Sequence, residues 1–143
     1  QSADSEFLIL LLFFLIWGGD IGAYFSGRAF GKTKLAPKVS PGKSWAGVYG
    51  GIAFATLLAI AMCLWMGKPD FMSARGLVFV LACVAIVIVS VLGDLVESMF
   101  KRHRGIKDSS ALLPGHGGIL DRIDSLLSAA PTFALFILIY GWY

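Results

Sequence analysis

Residues 7–17 read FLILLLFFLIW, a run of eleven apolar side chains without a polar one among them. A helix that crosses a bilayer needs about 20 predominantly apolar residues. The apolar character continues to about Phe25, so the sequence predicts a membrane-spanning helix over residues 7–25. The whole chain is also rich in apolar residues, since 57% of its 143 residues are hydrophobic and 15% are charged. This composition argues against a soluble globular domain, a disordered chain and a disulfide-rich scaffold.

Three further segments are long and apolar enough to cross a membrane. They cover residues 47–66, 76–102 and 125–143, and the segment 76–102 becomes more polar towards its end. Together with the first helix they occupy most of the chain. We therefore predict a single all-α, polytopic membrane domain over residues 1–143, with about four transmembrane helices and no separate soluble domain.

The positive charges assign a side of the membrane to each connecting segment. Ten of the 12 Lys and Arg residues lie between the first and second helices or between the third and fourth. Lys and Arg are concentrated in cytoplasmic loops of membrane proteins. These two segments are therefore predicted to be cytoplasmic, and the segment between the second and third helices is predicted to lie outside.

Small residues recur at helical spacing in the first two helices. They are Gly18, Gly22 and Ser26 in the first helix and Gly47 and Gly51 in the second. Such ridges let helices approach closely in lipid. We expect them to serve helix packing; they would also allow a homodimer without requiring one.

Acidic residues within or beside apolar helices are candidates for function. A charged side chain at the bilayer centre costs at least about 2.5 kcal/mol on insertion scales, so such residues are usually functional or paired. The predicted topology places five acids towards the cytoplasmic side: Asp20, Asp94, Glu97, Asp121 and Asp124.

The spacing of these acids indicates shared helical faces. Asp94, Glu97 and Lys101 follow at intervals of three and four residues and fall on one face. Carboxylates from two helices suit a hard divalent cation such as Mg²⁺, which binds oxygen ligands and keeps waters for substrate phosphates. Ion pairing is the alternative interpretation. Asp94 or Glu97 would then pair with Lys101, and Asp121 with Arg122.

The turn LPGHGG at residues 113–118 lies in the second cytoplasmic segment. Gly117 and Gly118 permit close backbone approach and expose N–H groups to anions. His116 is a candidate phosphate donor, acid/base group or turn-stabilising residue.

The segment SPGKS at residues 40–44 contains the Gly-Lys-Ser triplet of a phosphate loop. The formal motif fails, because Pro37 stands where its first glycine is required and a membrane helix precedes it instead of a strand. Lys43 and Ser44 could still hold phosphates by charge and by N–H groups. The alternatives are a topology signal or attraction to anionic lipid headgroups.

Three stretches match an enzyme signature in order. They are SMFKR at residues 98–102, KD at 107–108 and LPGHGGILDRID at 113–124. Together they resemble the signature of the CDP-diacylglycerol synthases (phosphatidate cytidylyltransferases). Further stretches similar to the bacterial members are WGGD at 17–20, GAY at 22–24, KLAPKVSPGK at 34–43 and VLGD at 91–94. Ile21 and Ala46 depart from the family pattern, which often has polar residues at those positions.

The resemblance implies a reaction between CTP and phosphatidic acid that yields CDP-diacylglycerol and pyrophosphate. It implies one or two Mg²⁺ ions, membrane lipids as partners, no nucleic acid, and a multi-pass protein of the bacterial inner membrane whose catalytic face is cytoplasmic. Family members usually carry several more membrane helices before this region. The chain is therefore expected to be the C-terminal part of a longer one.

The resemblance also assigns roles to residues of this sequence. It assigns metal binding to Asp94 and Asp121, with Asp124 and Glu97 as weaker candidates. The catalytic set, including the phosphate-binding bases, is Asp94, Asp121, Lys101, Arg102, Lys107, His116 and Arg122. The nucleotide-binding set is Lys43, Ser44, Gly117 and Gly118. Asp20 would be a further acidic residue that lines the site.

Two other classes of protein remain as alternatives. A transporter or channel subunit could line an ion path with the same acids, although transporters usually place ionisable residues near the bilayer midplane. A different lipid-phosphate enzyme, such as a CDP-alcohol phosphotransferase or a polyprenol kinase, is the other alternative. The characteristic Asp-Gly and Asp pattern of the CDP-alcohol phosphotransferases is not found in the sequence.

Overall fold

The computed structural model describes residues 2–65, 73–106, 109 and 120–140. Within these residues the chain forms four helices and one β-hairpin. The elements in chain order are α1 (Ser2–Phe30), β1 (Lys34–Ala36), β2 (Ser40–Ser44), α2 (Trp45–Trp65), α3 (Ala74–His103) and α4 (Leu120–Tyr140).

Three of the helices are long and apolar enough to cross a membrane, over Glu6–Phe30, Trp45–Met62 and Ala74–His103. The apolar part of α4, Ile123–Ile139, is shorter, and residues 141–143 of the predicted fourth span lie outside the described residues. Large apolar side chains point outwards, and Trp65 is 87% exposed. Because an apolar exterior is stable against lipid and not against water, the predicted helical, polytopic membrane fold is confirmed.

Two helices extend further towards the polar end of the molecule than the sequence predicts. The first ends at Phe30 rather than near Phe25, where the N–H of Gly31 donates to the carbonyl of Gly27 at 2.9 Å. Arg28 in its last turn complements the helix dipole. The fourth begins at Leu120, five residues before the predicted start, so Asp121 and Asp124 belong to its first turns.

Helices α1 and α2 pack through their small residues. A Cβ atom added to Gly22 would lie 2.8 Å from the carbonyl oxygen of Gly50, and one added to Gly51 would lie 2.6 Å from that of Gly19. Larger side chains would force the two backbones apart. The expectation that the two ridges serve helix packing is confirmed, and they face each other within this chain.

The core lies where α3 meets the other helices. Its fully buried side chains include Leu11 and Leu15 of α1 and Cys83 and Ile86 of α3. Helices α3 and α4 approach closely at Gly93, where an added Cβ would clash with the hydroxyl of Ser128. This contact brings the carboxyl end of α3 beside the amino end of α4.

The β-hairpin between α1 and α2 is absent from the sequence-based expectations. Its two antiparallel strands pair Lys34 with Ser44 and Ala36 with Ser40, with an irregularity between the two pairs. Ser44 is buried and caps α2, because its hydroxyl oxygen accepts the N–H of Gly47 at 3.1 Å. The cap fixes the end of β2, and with it the backbone of the preceding lysine.

Candidate functional site

Carboxylates from three helices meet at the hairpin end of the bundle. Asp20 of α1, Asp94 of α3 and Asp124 of α4 all line one cavity of about 460 Å³. The carboxyl groups of Asp94 and Asp124 are close enough to interact electrostatically. Two ionised carboxylates that lie near each other repel unless a proton or a cation lies between them. The arrangement therefore suits a cation.

A second cavity of about 220 Å³ shares Asp20 and Asp94 with the first, since these residues line both spaces. It is lined by residues of all four helices and β2, and its polar lining includes Lys43, Ser44 and Ser90. The two carboxylates therefore border a space that also contains a base.

Lys43 reaches across from β2 and forms an ion pair with Asp94. The side chains are 25% and 29% exposed, so water screens their attraction less than at an open surface. Asp20 also interacts electrostatically with both partners. Asp124, which interacts with Asp94, adds a third carboxylate to this group.

Glu97 adopts the ion-pair alternative. One of its carboxylate oxygens lies 3.2 Å from the ammonium nitrogen of Lys101, one helical turn further along α3. Both side chains are largely buried. Glu97 still contributes to the negative potential at Asp124, but its carboxylate is held by a lysine of its own helix.

Arg102 connects the end of α3 to the hairpin. Its Nε donates to the carbonyl of Val39 in the hairpin turn at 3.4 Å, and its side chain is exposed. Arg carries five N–H donors, and this bond uses one of them. Arg102 therefore links the end of α3 to the hairpin that carries Lys43.

Part of the predicted site lies outside the described residues. Lys107, His116, Gly117 and Gly118 fall there, and their assigned roles stay predictions. The backbones of Asp121 and Arg122 belong to the first turn of α4, whereas their side chains are not described.

Ser125 is a site residue that the sequence analysis missed. It lines both cavities, and its backbone N–H donates to Oδ1 of Asp124 at 2.6 Å. This bond orients the carboxylate towards the cavity. The sequence shows that Ser125 directly follows Asp124, but this position does not predict that the residue lines the cavities.

The chemistry of the acids fits a magnesium ion, although the described residues include no group of three or more His, Cys, Asp or Glu side chains that could hold a metal. Mg²⁺ is commonly bound by one or two carboxylates, with waters and substrate phosphates completing its six ligands. Asp94 and Asp124 supply two such carboxylates. A pair of carboxylates that lines an open cavity fits this mode of binding.

The chain is similar to known proteins over nearly its whole length. Residues 1–140 match the model of the cytidylyltransferase family. A phosphatidate cytidylyltransferase of Haemophilus influenzae is 58% identical over 131 residues, which are 91% of this chain and 45% of that protein. One of Pseudomonas aeruginosa is 57% identical over 135 residues, which are 94% of this chain and 49% of that protein. The chain spans about half the length of the curated relatives it matches.

The fold also resembles a solved structure, an intramembrane enzyme for archaeal membrane lipids biosynthesis. The TM-score is 0.59 at 20% sequence identity, and the match covers 86% of this chain and 75% of the other. At this identity the likeness concerns the fold, and it agrees with a helical architecture within the membrane.

Proposed function

Because the chain belongs to the cytidylyltransferase family, we propose that it carries the catalytic region of a phosphatidate cytidylyltransferase. The reaction joins CTP to phosphatidic acid and yields CDP-diacylglycerol and pyrophosphate. The observation that supports this most strongly is the convergence of Asp20, Asp94 and Asp124 from three helices beside Lys43. A site that brings two polyanions together needs cations held in this way.

The chemistry is a substitution at phosphorus. A phosphate oxygen of phosphatidic acid forms a bond to the α-phosphorus of CTP, and the bond from that phosphorus to the β-phosphate bridging oxygen breaks. Pyrophosphate leaves with the bonding electron pair. The lipid phosphate is already ionised near neutral pH, so the protein must chiefly neutralise charge and align the two reactants.

Mg²⁺, one ion or two, would supply neutralisation of the phosphate charge when bound. Asp94 and Asp124 would hold it, and Asp121, one turn before Asp124 on α4, is a further ligand under this proposal. Glu97 is the weakest of the four predicted ligands, since it pairs with Lys101.

The basic side chains would bind the phosphates. Lys43 lines the smaller cavity and pairs with Asp94, and Arg102 contacts the hairpin. The proposal also includes Lys101, Lys107 and Arg122, and it includes the glycine turn around His116, which lies outside the described residues. These groups would hold the reactants in line rather than exchange protons with them.

We further propose a multi-pass protein of the bacterial inner membrane whose site faces the cytoplasm. The exposed bases Arg28, Lys34, Lys38 and Arg102 lie at the end that carries the acids, and Lys and Arg favour the cytoplasmic side. The acyl chains of the lipid would stay in the bilayer while CTP enters from water. A homodimer would need a surface other than the two glycine ridges, because these face each other within one chain.

The test is pyrophosphate release from CTP and phosphatidate by the purified protein in detergent. We expect activity with Mg²⁺ and none after EDTA is added. Asp94→Asn should lower the rate by at least about 10²-fold, comparable with the loss of one electrostatic stabiliser.

Glu6→Gln is the matched control, because Glu6 is an exposed acid near the other end of α1, and this variant should keep the parent rate. Activity that survives EDTA would end the metal proposal, and a near-normal rate for Asp94→Asn would remove that residue from the site.

A further inference from the structure

The ion pair between Lys43 and Asp94 places a cation of the protein itself at the acidic site. Lys43 extends from the capped end of β2, where the buried Ser44 fixes its backbone. The long, flexible stem of a lysine leaves its ammonium group free to move while its backbone stays in place. The charge can therefore exchange between two partners without any change in the fold.

The carboxylates around this ion pair indicate that the ammonium group of Lys43 reduces their mutual repulsion. Asp94 faces Asp20 and Asp124 as well as Lys43, and carboxylates so arranged repel one another. The other ion pair recorded among the described residues, between Lys101 and Glu97, belongs to the next turn of α3. Among the residues that the structure describes, Lys43 is thus a base that offsets the repulsion at Asp94.

We propose that Lys43 acts as a built-in counter-ion: its ammonium group pairs with Asp94 until a divalent cation binds that carboxylate, and it then contacts a substrate phosphate. This inference rests on the proposed function, because it assumes that Asp94 binds the metal. It assigns Lys43 a role in the protein without nucleotide, which is to pair with Asp94. A lysine that only binds phosphate would not need this role. The ammonium group and the metal ion compete for the same carboxylate.

Competition between Lys43 and the metal ion predicts a change in Mn²⁺ affinity when Lys43 is replaced. A lysine that only bound phosphate would not produce this change. Lys43→Met removes the competing charge, so the nucleotide-free protein should bind Mn²⁺ more tightly. We expect a gain in affinity of about threefold to tenfold, because this ion pair is partly buried and should be stronger than an exposed pair but weaker than a fully buried one. The same variant should show a raised KM for CTP with a smaller change in kcat, because a phosphate contact is lost. Lys43→Arg keeps the charge and should bind Mn²⁺ with nearly the parent affinity.

The measurement is titration of the purified protein with Mn²⁺ alone, following the free ion by electron paramagnetic resonance. Lys38→Met is the matched control, since it removes an exposed lysine from the same hairpin and reports the long-range effect of one charge. Lys43→Gln, which keeps a polar head, serves as a second variant, and thermal unfolding verifies that each variant is folded.

The outcomes separate this inference from the proposed function. Tighter Mn²⁺ binding by Lys43→Met and Lys43→Gln than by Lys38→Met supports the inference. Equal or weaker binding, with Mn²⁺ still bound by the parent protein, overturns the inference alone. If the parent protein binds no Mn²⁺ at all, the metal site of the proposed function fails, and the inference fails with it.

Discussion

Asp94 is the residue on which the proposed site depends most. It lines both cavities, pairs with Lys43 and approaches Asp124. Its neighbour Glu97 lies three residues along the same helix, so the sequence alone cannot tell which acid serves the site. The structure separates them, because Glu97 is held by Lys101.

This separation predicts unequal effects of the two amide substitutions. Glu97→Gln leaves the largely buried Lys101 without its carboxylate, so the free energy of unfolding should fall. Pyrophosphate release by the folded variant should stay within about fivefold of the parent rate, because no electrostatic stabiliser of the reaction is lost. Asp94→Asn, measured in parallel, should lose far more. A loss for Glu97→Gln as large as that for Asp94→Asn would place Glu97 among the metal ligands.

Ser44 has a structural role beside the nucleotide-binding role that is predicted for it. Its hydroxyl caps α2, and the residue before it in β2 is Lys43. Ser44→Ala should lower the free energy of unfolding by about 1 kcal/mol, the usual cost of a lost N-cap. It should also raise the KM for CTP, because the end of β2 is no longer fixed.

Ser73→Ala is the matched control for this prediction. Ser73 caps α3, where its hydroxyl oxygen accepts the N–H of Gly76 at 3.2 Å, at the other end of the bundle. Thermal or denaturant unfolding should show a similar loss of stability, while the KM for CTP stays unchanged. Equal KM values for Ser44→Ala and the parent protein would contradict the positioning role.

At the scale of elements, the contact between α1 and α2 sets the shape of one cavity wall. The contact tolerates no side chain at Gly51, because an added Cβ would lie 2.6 Å from the carbonyl oxygen of Gly19. Gly51→Val should destabilise the protein by about 1–3 kcal/mol, the usual cost of overpacking. Gly42→Ala is the control, since a Cβ there meets nothing within 4 Å. Equal unfolding temperatures for the two variants would contradict the close packing.

The helices could be predicted from the sequence and the hairpin could not. An unbroken apolar run such as residues 7–17 has one stable arrangement in a bilayer, and basic residues between runs assign the sides. The hairpin segment is rich in Lys, Pro and Gly and shows no alternation of apolar residues. Its strands depend on contacts with α2 and α3, so local propensity does not reveal them.

At the scale of the whole molecule, the acids, the bases and both cavities share one end of the bundle. The sequence predicts this grouping, because the polar ends of alternating helices must meet on one side of the membrane. It does not predict the pairing of Lys43 with Asp94, which are 51 residues apart in the chain. Such a contact depends on the packing of α1, α2 and α3 together.

The grouping makes a prediction about topology. Cysteines placed at Lys38 in the hairpin and at Arg75 near the start of α3 occupy exposed positions at opposite ends of the bundle. With Cys63 and Cys83 replaced by alanine, a membrane-impermeant maleimide should label Lys38→Cys only in inside-out vesicles. It should label Arg75→Cys only in right-side-out vesicles. Labelling of both from one side would contradict the orientation.

The central claim is that carboxylates from α3 and α4 act as one unit on the reactants. A double-mutant cycle tests it through pyrophosphate release by Asp94→Asn, Asp124→Asn and the double variant. Residues that hold the same ion are not additive, so each single variant should lose at least about 10²-fold and the double variant little more. Independent losses that multiply to about 10⁴-fold in the double variant, or near-normal activity in either single variant, would contradict the account.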